Sequence, residues 1–181
     1  MHALSPLIHE ESMQKVLDGF RPRYLHHYTK LMRKKLGLYS DDRKDRLLIR
    51  SCLKVLQESA VDYTAFFRQL SCYQGDPSIF KKLQIKSSSL HSWLKVYENR
   101  LQKETTSPEQ RETKMSATNP KYVLKNYMLQ EAVEGLEKGD RSVFDILKVL
   151  LRSPYDEHKK HEHYAQSTAK NKRNLQLSCS S

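Results

Sequence analysis

Apolar side chains in this chain recur every three or four residues over most of its length, and only five glycines among 181 residues interrupt them. That period places the apolar positions on one face of an α-helix, whereas a half-buried strand would alternate. Scarce glycine and abundant Leu, Lys, Glu and Gln also favour helices over architectures built from tight turns. The expected class is all-α, with about seven amphipathic helices and no sheet.

Met13, Val16, Leu17 and Phe20 form the first stripe, which Pro22 is expected to interrupt. A second helix is predicted from about Arg23 to Leu36, burying Tyr24, Leu25, Tyr28, Leu31 and Met32, with Gly37 as its stop. Ser40, Asp41 and Asp42 suit the start of a third helix, whose stripe is Leu47, Leu48, Cys52, Leu53 and Leu56. Cys52 reads there as a small core residue. Asp62 can cap a helix carrying Tyr63, Phe66, Phe67 and Leu70, and 74–89 reads as a loop or a short turn of helix. Leu90, Trp93, Leu94, Tyr97 and Leu101 form the next stripe. After a linker-like stretch at 103–106, Ser107 and Pro108 restart a helix as cap and first residue. Asn119-Pro120 is expected to begin a helix that runs through Leu136 to a stop at Gly139, and Asp140 to cap a last one that ends before Pro154. The chain thus divides into a helical region at 1–154 and a polar tail at 155–181.

Composition bounds the partners. Apolar residues make up 38% of the chain, below the usual share of a compact domain, so the core should be thin and some surface meant for a partner. The net charge of +11 attracts polyanions, but the basic residues are dispersed, and runs such as Lys30, Arg33, Lys34 and Lys35 read as solvated helix faces. With no recognised binding motif beside them, nucleic acid is not the expected partner. Three cysteines (Cys52, Cys72 and Cys179) argue against a disulfide framework. No apolar run approaches the ~18 residues of a membrane span. Met1–Ile8, broken by His2 and Pro6, is too short for a signal sequence, so a cytoplasmic location is expected.

The sequence holds no glycine-rich phosphate loop, no Gly-x-Ser-x-Gly elbow, no His-Glu-x-x-His helix and no Asp-Phe-Gly metal motif. No catalytic, cofactor-binding or metal-ligating residue is therefore assigned. His158, His161 and His163, with Glu157 and Glu162, lie close in sequence, but a lysine-rich segment after a proline is read as a solvated tail. His26 and His27 are adjacent on a helix and cannot share a face. Cys179, third from the end among serines, is the one redox candidate. Its position fits equally an exposed cysteine without a role and a thiol that pairs elsewhere.

Several segments resemble, in order, the C-terminal part of the selenoprotein O (YdiU-type) family. Met32-Arg33-Lys34-Lys35-Leu36-Gly37 is similar to an MRxKLG element, and Asp62-Tyr63-Thr64 with Phe67-Arg68-Gln69-Leu70-Ser71 to a DYTxxFRxLS segment. Asn119-Pro120, Val123-Leu124-Lys125-Asn126 and Gln130 resemble NPxxVLRNxxxQ. Glu137-Lys138-Gly139-Asp140, Pro154-Tyr155-Asp156 and the terminal Ser178-Cys179-Ser180-Ser181 continue the series. The resemblance implies the helical C-terminal part of a protein-kinase-like fold. The family consists of pseudokinase adenylyltransferases that move AMP from ATP to Ser, Thr or Tyr hydroxyls of proteins, using magnesium. Its nucleotide- and metal-binding residues lie in an N-terminal part that has no counterpart here, so none is carried over. Cys179 is similar to the family's terminal redox residue, whose partner lies in that catalytic part.

Two departures stand out: Lys125 replaces an arginine, and Thr168-Ala169-Lys170-Asn171 replaces an element with a tryptophan anchor. Met1 followed by apolar Leu4, Leu7 and Ile8, with no element to pack on, gives the expectation of a truncated or split enzyme. On that reading the chain is structural or regulatory, inactive alone, and partnered by the missing N-terminal lobes and the enzyme's protein substrates. The competing expectation is a free-standing basic helical interaction protein, with nucleic acid as one possible ligand.

Overall fold

Glu10 and Glu11 in its first turn and Arg33, Lys34 and Lys35 in its last oppose the dipole of helix α1 (Glu10–Lys35) at both ends. The computed structural model describes residues 9–169, and α1 runs through Pro22 without a break. Pro22 removes one backbone donor, but the residues around it are exposed, so water can satisfy the freed carbonyl and the helix continues. Two helices were expected where one exists. The predicted stop holds: Gly37 adopts φ +68°, Leu38 N–H donates to the Arg33 carbonyl (2.9 Å), and Gly37 N–H donates to that of Lys34 (3.1 Å). These two bonds make a Schellman turn.

Six further α-helices follow: α2 (Asp45–Glu58), α3 (Tyr63–Ser71), α4 (Ser87–Leu101), α5 (Pro108–Thr118), α6 (Asn126–Glu137) and α7 (Ser142–Arg152). Two 3-10 helices, Pro77–Leu83 and Lys159–Ala165, complete the described residues, among which there is no strand. The all-α expectation stands. Asp62 and Ser107 cap α3 and α5 as anticipated, their side chains accepting from the N–H groups of Ala65 and Gln110. α2 begins at Asp45, later than Ser40, and α4 begins at Ser87, within the serines.

The larger core lies between the C-terminal half of α1 and α2 to α5. Phe66, Phe67, Leu70, Tyr73, Phe80, Trp93 and Tyr97 fill it with ring against ring. Polar tips find partners: the Trp93 indole N–H donates to the Leu48 carbonyl (3.1 Å) and the Tyr97 hydroxyl to that of Leu36 (2.8 Å). These bonds join α4 to α2 and to the end of α1.

A second, smaller core gathers Tyr122, Met128, Ala132, Leu147, Leu150 and Tyr164 from α6, α7 and the last 3-10 helix. Residues 155–169, expected to be solvated, are thus partly engaged: Tyr164 is buried in this core. Asn119-Pro120 does not begin a helix. Asn119 is extended (φ −102°, ψ 101°), as a residue before proline prefers, and α6 starts only at Asn126.

Candidate functional site

The segments that carry the family resemblance meet at the seam between the two cores. The Asn119 side-chain amide donates to the Lys35 carbonyl (2.9 Å) and the Ser71 hydroxyl (3.2 Å), so three motif segments share one buried residue. Arg68 donates to the carbonyls of Ser116 (2.9 Å) and Asn119 (3.2 Å) and pairs with Glu157 at 2.7 Å. The Pro154 carbonyl accepts from the N–H groups of Lys121 (2.7 Å) and Tyr122 (3.1 Å). Lys125 pairs with Asp62 at 2.9 Å and donates to the Gln166 carbonyl at 2.6 Å. A single ammonium therefore makes two contacts where the family favours a guanidinium, so the departure at Lys125 leaves the seam closed. These residues hold backbone and one another.

A buried charge cluster secures the other end of the larger core. Arg100 Nε donates to Asp45 at 2.7 Å, one terminal nitrogen to Glu104 at 2.8 Å, and the other to the Ser40 carbonyl at 2.8 Å. Arg33 pairs with Asp41 and lies 3.7 Å from Asp45. Burial alone would raise the Glu104 pKa, but the Ser40 hydroxyl, the Tyr39 and Ser40 N–H groups and Arg100 outweigh it and hold the carboxyl below its ordinary range. Arg33, Leu36 and Gly37 of the first motif are thus structural as well.

The sequence-level candidates fall into place around this frame. Cys52 is buried, and burial pushes its thiol up to about 12, consistent with a core role. Cys72 is a free, exposed thiol, and Cys179 lies outside the described residues. Glu157 and Glu162 are both engaged by Lys121, whose ammonium, above all, keeps the Glu157 carboxyl below its ordinary range. His158 turns its Nε2 to the Ser153 hydroxyl at 2.9 Å. Among the described residues no three His, Cys, Asp or Glu side chains converge so as to hold a metal ion.

What the described residues offer instead is surface. Along α1 the series Phe20, Tyr24, Tyr28, Met32, Leu36 keeps a four-residue spacing, and its first three rings stack at 6.1 and 6.0 Å. Exposure falls along it from 65% at Phe20 and 54% at Tyr24 to 4% at Met32 and none at Leu36. Val16 and Leu17 extend the exposed part. Periodicity identified the stripe but could not reveal that Val16, Leu17, Phe20 and Tyr24 on it stay exposed while Met32 and Leu36 are buried in the larger core.

The fold defines an all-helical body whose motif residues build structure and whose apolar helix face stands open. The family model described as protein adenylyltransferase SelO matches residues 1–152. Curated relatives include the protein nucleotidyltransferase YdiU of Aliivibrio fischeri, 38% identical over 99% of this chain, and that of Pseudomonas aeruginosa, 34% identical over 99%. This chain belongs to the SelO family of protein adenylyltransferases. It spans about 37% of the length of these relatives. No helix among the described residues is long and apolar enough to cross a membrane.

Proposed function

We propose that this chain is the helical C-terminal part of a cytoplasmic protein adenylyltransferase, and that it braces the catalytic part rather than carrying chemistry itself. In this reading ATP and magnesium are handled by the portion of the family that this chain does not span, and AMP goes to hydroxyls of protein substrates. The observation that carries the reading is the open stripe on α1: Val16, Phe20 and Tyr24 stand exposed on a helix whose other half is locked into the core. A contiguous apolar stripe of this kind on one helix face is a contact face.

The test has two parts. The purified chain, given ATP, magnesium and candidate protein substrates, should transfer no AMP; transfer by the chain alone would overturn the reading. Mixed with the N-terminal remainder of the Aliivibrio fischeri relative, it should co-elute in size-exclusion chromatography, and Val16→Asp with Phe20→Asp should abolish co-elution. Absence of a complex with the unmodified chain would count equally against it.

A further inference from the structure

A broad groove of about 1400 Å³ runs along α2, walled by α1 on one side and α4 on the other. That exceeds the roughly 300–1,000 Å³ of typical small-molecule sites, and its openness to solvent along a helix suits a peptide segment better. Its floor is apolar: Leu48 and Ile49 are buried, Leu25 and Leu53 half-buried, while Leu47 (67% exposed) and Val96 (55%) rise at the edges. Two largely exposed aliphatic side chains thus flank an apolar floor.

The charges around it that lack an ion-pair partner are of one sign. Lys44, Arg46, Arg50, Lys54, Arg100 and Lys103 line the groove against only Asp42 and Asp45. Both carboxylates are already engaged, Asp45 by Arg100 at 2.7 Å and Asp42 by Lys103 at 2.5 Å. Lys54 lies 3.7 Å from Glu58, and Lys44, Arg46 and Arg50 have no carboxylate in ion-pair range among the described residues. Arg46 and Arg50 are one helical turn apart on the exposed face of α2, flanking Leu47. A second copy of this chain, at a net charge of +11, would be repelled on approach. A permanent internal contact would also be expected to carry fewer lysines such as Lys44 and Lys54.

We infer that the α1–α2–α4 groove binds an acidic amphipathic helix of a separate protein, its apolar anchors on Leu47, Leu53 and Val96 and its carboxylates on Lys44, Arg46 and Arg50. The recognition is helix-in-groove, with charge setting the encounter and apolar contact the residence time. The groove is built by side chains other than the Val16, Phe20 and Tyr24 face, so this inference and the bracing role can fail independently.

The probe is a fluorescein-labelled peptide of about twelve residues, with leucines at three- and four-residue spacing and glutamates elsewhere, titrated with the full chain by fluorescence anisotropy. Binding in the micromolar range is expected, weakening several-fold between about 50 and 300 mM salt. Arg46→Glu with Arg50→Glu should weaken it at least about tenfold, and Val96→Asp about fivefold. Replacing the peptide's leucines by serine, or its glutamates by lysine, should abolish binding to the unmodified chain, an arm that needs no protein variant to fold. Equal binding of the serine peptide would overturn the inference, as would no binding at millimolar peptide. A DNA duplex of equal charge that bound more tightly than the peptide would identify a general polyanion patch and overturn the inference. If the N-terminal remainder of the Aliivibrio fischeri relative displaced the peptide, the groove would be internal to the enzyme and the inference would fall.

Discussion

The side chain of Asn119 reaches the backbone carbonyl of Lys35, 84 positions earlier in the chain, at 2.9 Å, and the Ser71 hydroxyl at 3.2 Å. One buried amide thereby ties the end of α1, the end of α3 and the extended segment before α6. Replacing it with alanine would leave the Lys35 carbonyl and Ser71 without that partner, at a cost of about 1–3 kcal/mol. A double-mutant cycle with Ser71→Ala, followed by urea unfolding, should give a non-additive coupling of at least about 0.5 kcal/mol.

Arg100 serves three acceptors through one planar group: the buried Asp45, Glu104 and the Ser40 carbonyl. Arg100→Ala should destabilise the chain by about 3 kcal/mol, because it leaves the buried Asp45 with only the longer 3.7 Å pairing to Arg33. Arg100→Lys should recover only part of the loss, since an ammonium cannot reproduce the fork. Denaturant midpoints at neutral pH rank the three proteins.

The same cluster predicts an acid limb. The folded state holds the Glu104 pKa below its ordinary value, so its contribution is fully present above the unfolded pKa and disappears as pH falls through the folded one. Stability should therefore fall below about pH 4. Glu104→Gln should be less stable than the unmodified chain at pH 7, with the two converging in acid. Thermal melts across pH check the sign, and a constant gap at all pH values would contradict it.

Asp62 has two jobs that substitution can separate: it caps α3 through Ala65 N–H at 3.0 Å and pairs with Lys125 at 2.9 Å. Asp62→Asn keeps a capping oxygen and loses only the ion pair, whereas Asp62→Ala loses both. The alanine variant should be about 0.5–2 kcal/mol less stable than the asparagine one. Equal melting temperatures would mean that the cap contributes nothing.

Gly37 is a backbone requirement rather than a spacer. Its φ of +68° lies in the left-handed region, and an added Cβ would meet Met115 Sδ at 2.6 Å and Arg111 Cγ at 2.7 Å. Gly37→Ala should cost more than the roughly 1–2 kcal/mol of left-handed strain alone. Calorimetric unfolding of the variant measures the excess.

Class, caps and stripes were legible because they depend on neighbours in sequence: Asp62, Ser107 and Gly37 act where local chemistry places them. The errors came where a distant partner overruled a local signal. Asn119-Pro120 reads as a cap and first turn, yet the Asn119 amide is committed to Lys35 and Ser71, and no helix forms until Asn126. Pro22 reads as a break, but α1 passes through it because that stretch is solvated. Tyr164, alone in a polar run, gave no periodic signal, since its partners Tyr122 and Met128 come from elsewhere. The groove was least legible. Arg46 and Arg50 look like any solvated helix face until α1 and α4 are set on either side of them.

An unbroken helix of 26 residues is a rod of roughly 39 Å, at about 1.5 Å per residue. Its C-terminal half is seated in the larger core, so a load on the exposed Phe20 and Tyr24 would be carried along the rod toward that core. It is delivered where Met32 and Leu36 pack and the Schellman turn passes the chain toward Asp45 and Arg100. Whatever grips Phe20 and Tyr24 thus has a stiff mechanical link to the wall of the groove on α2.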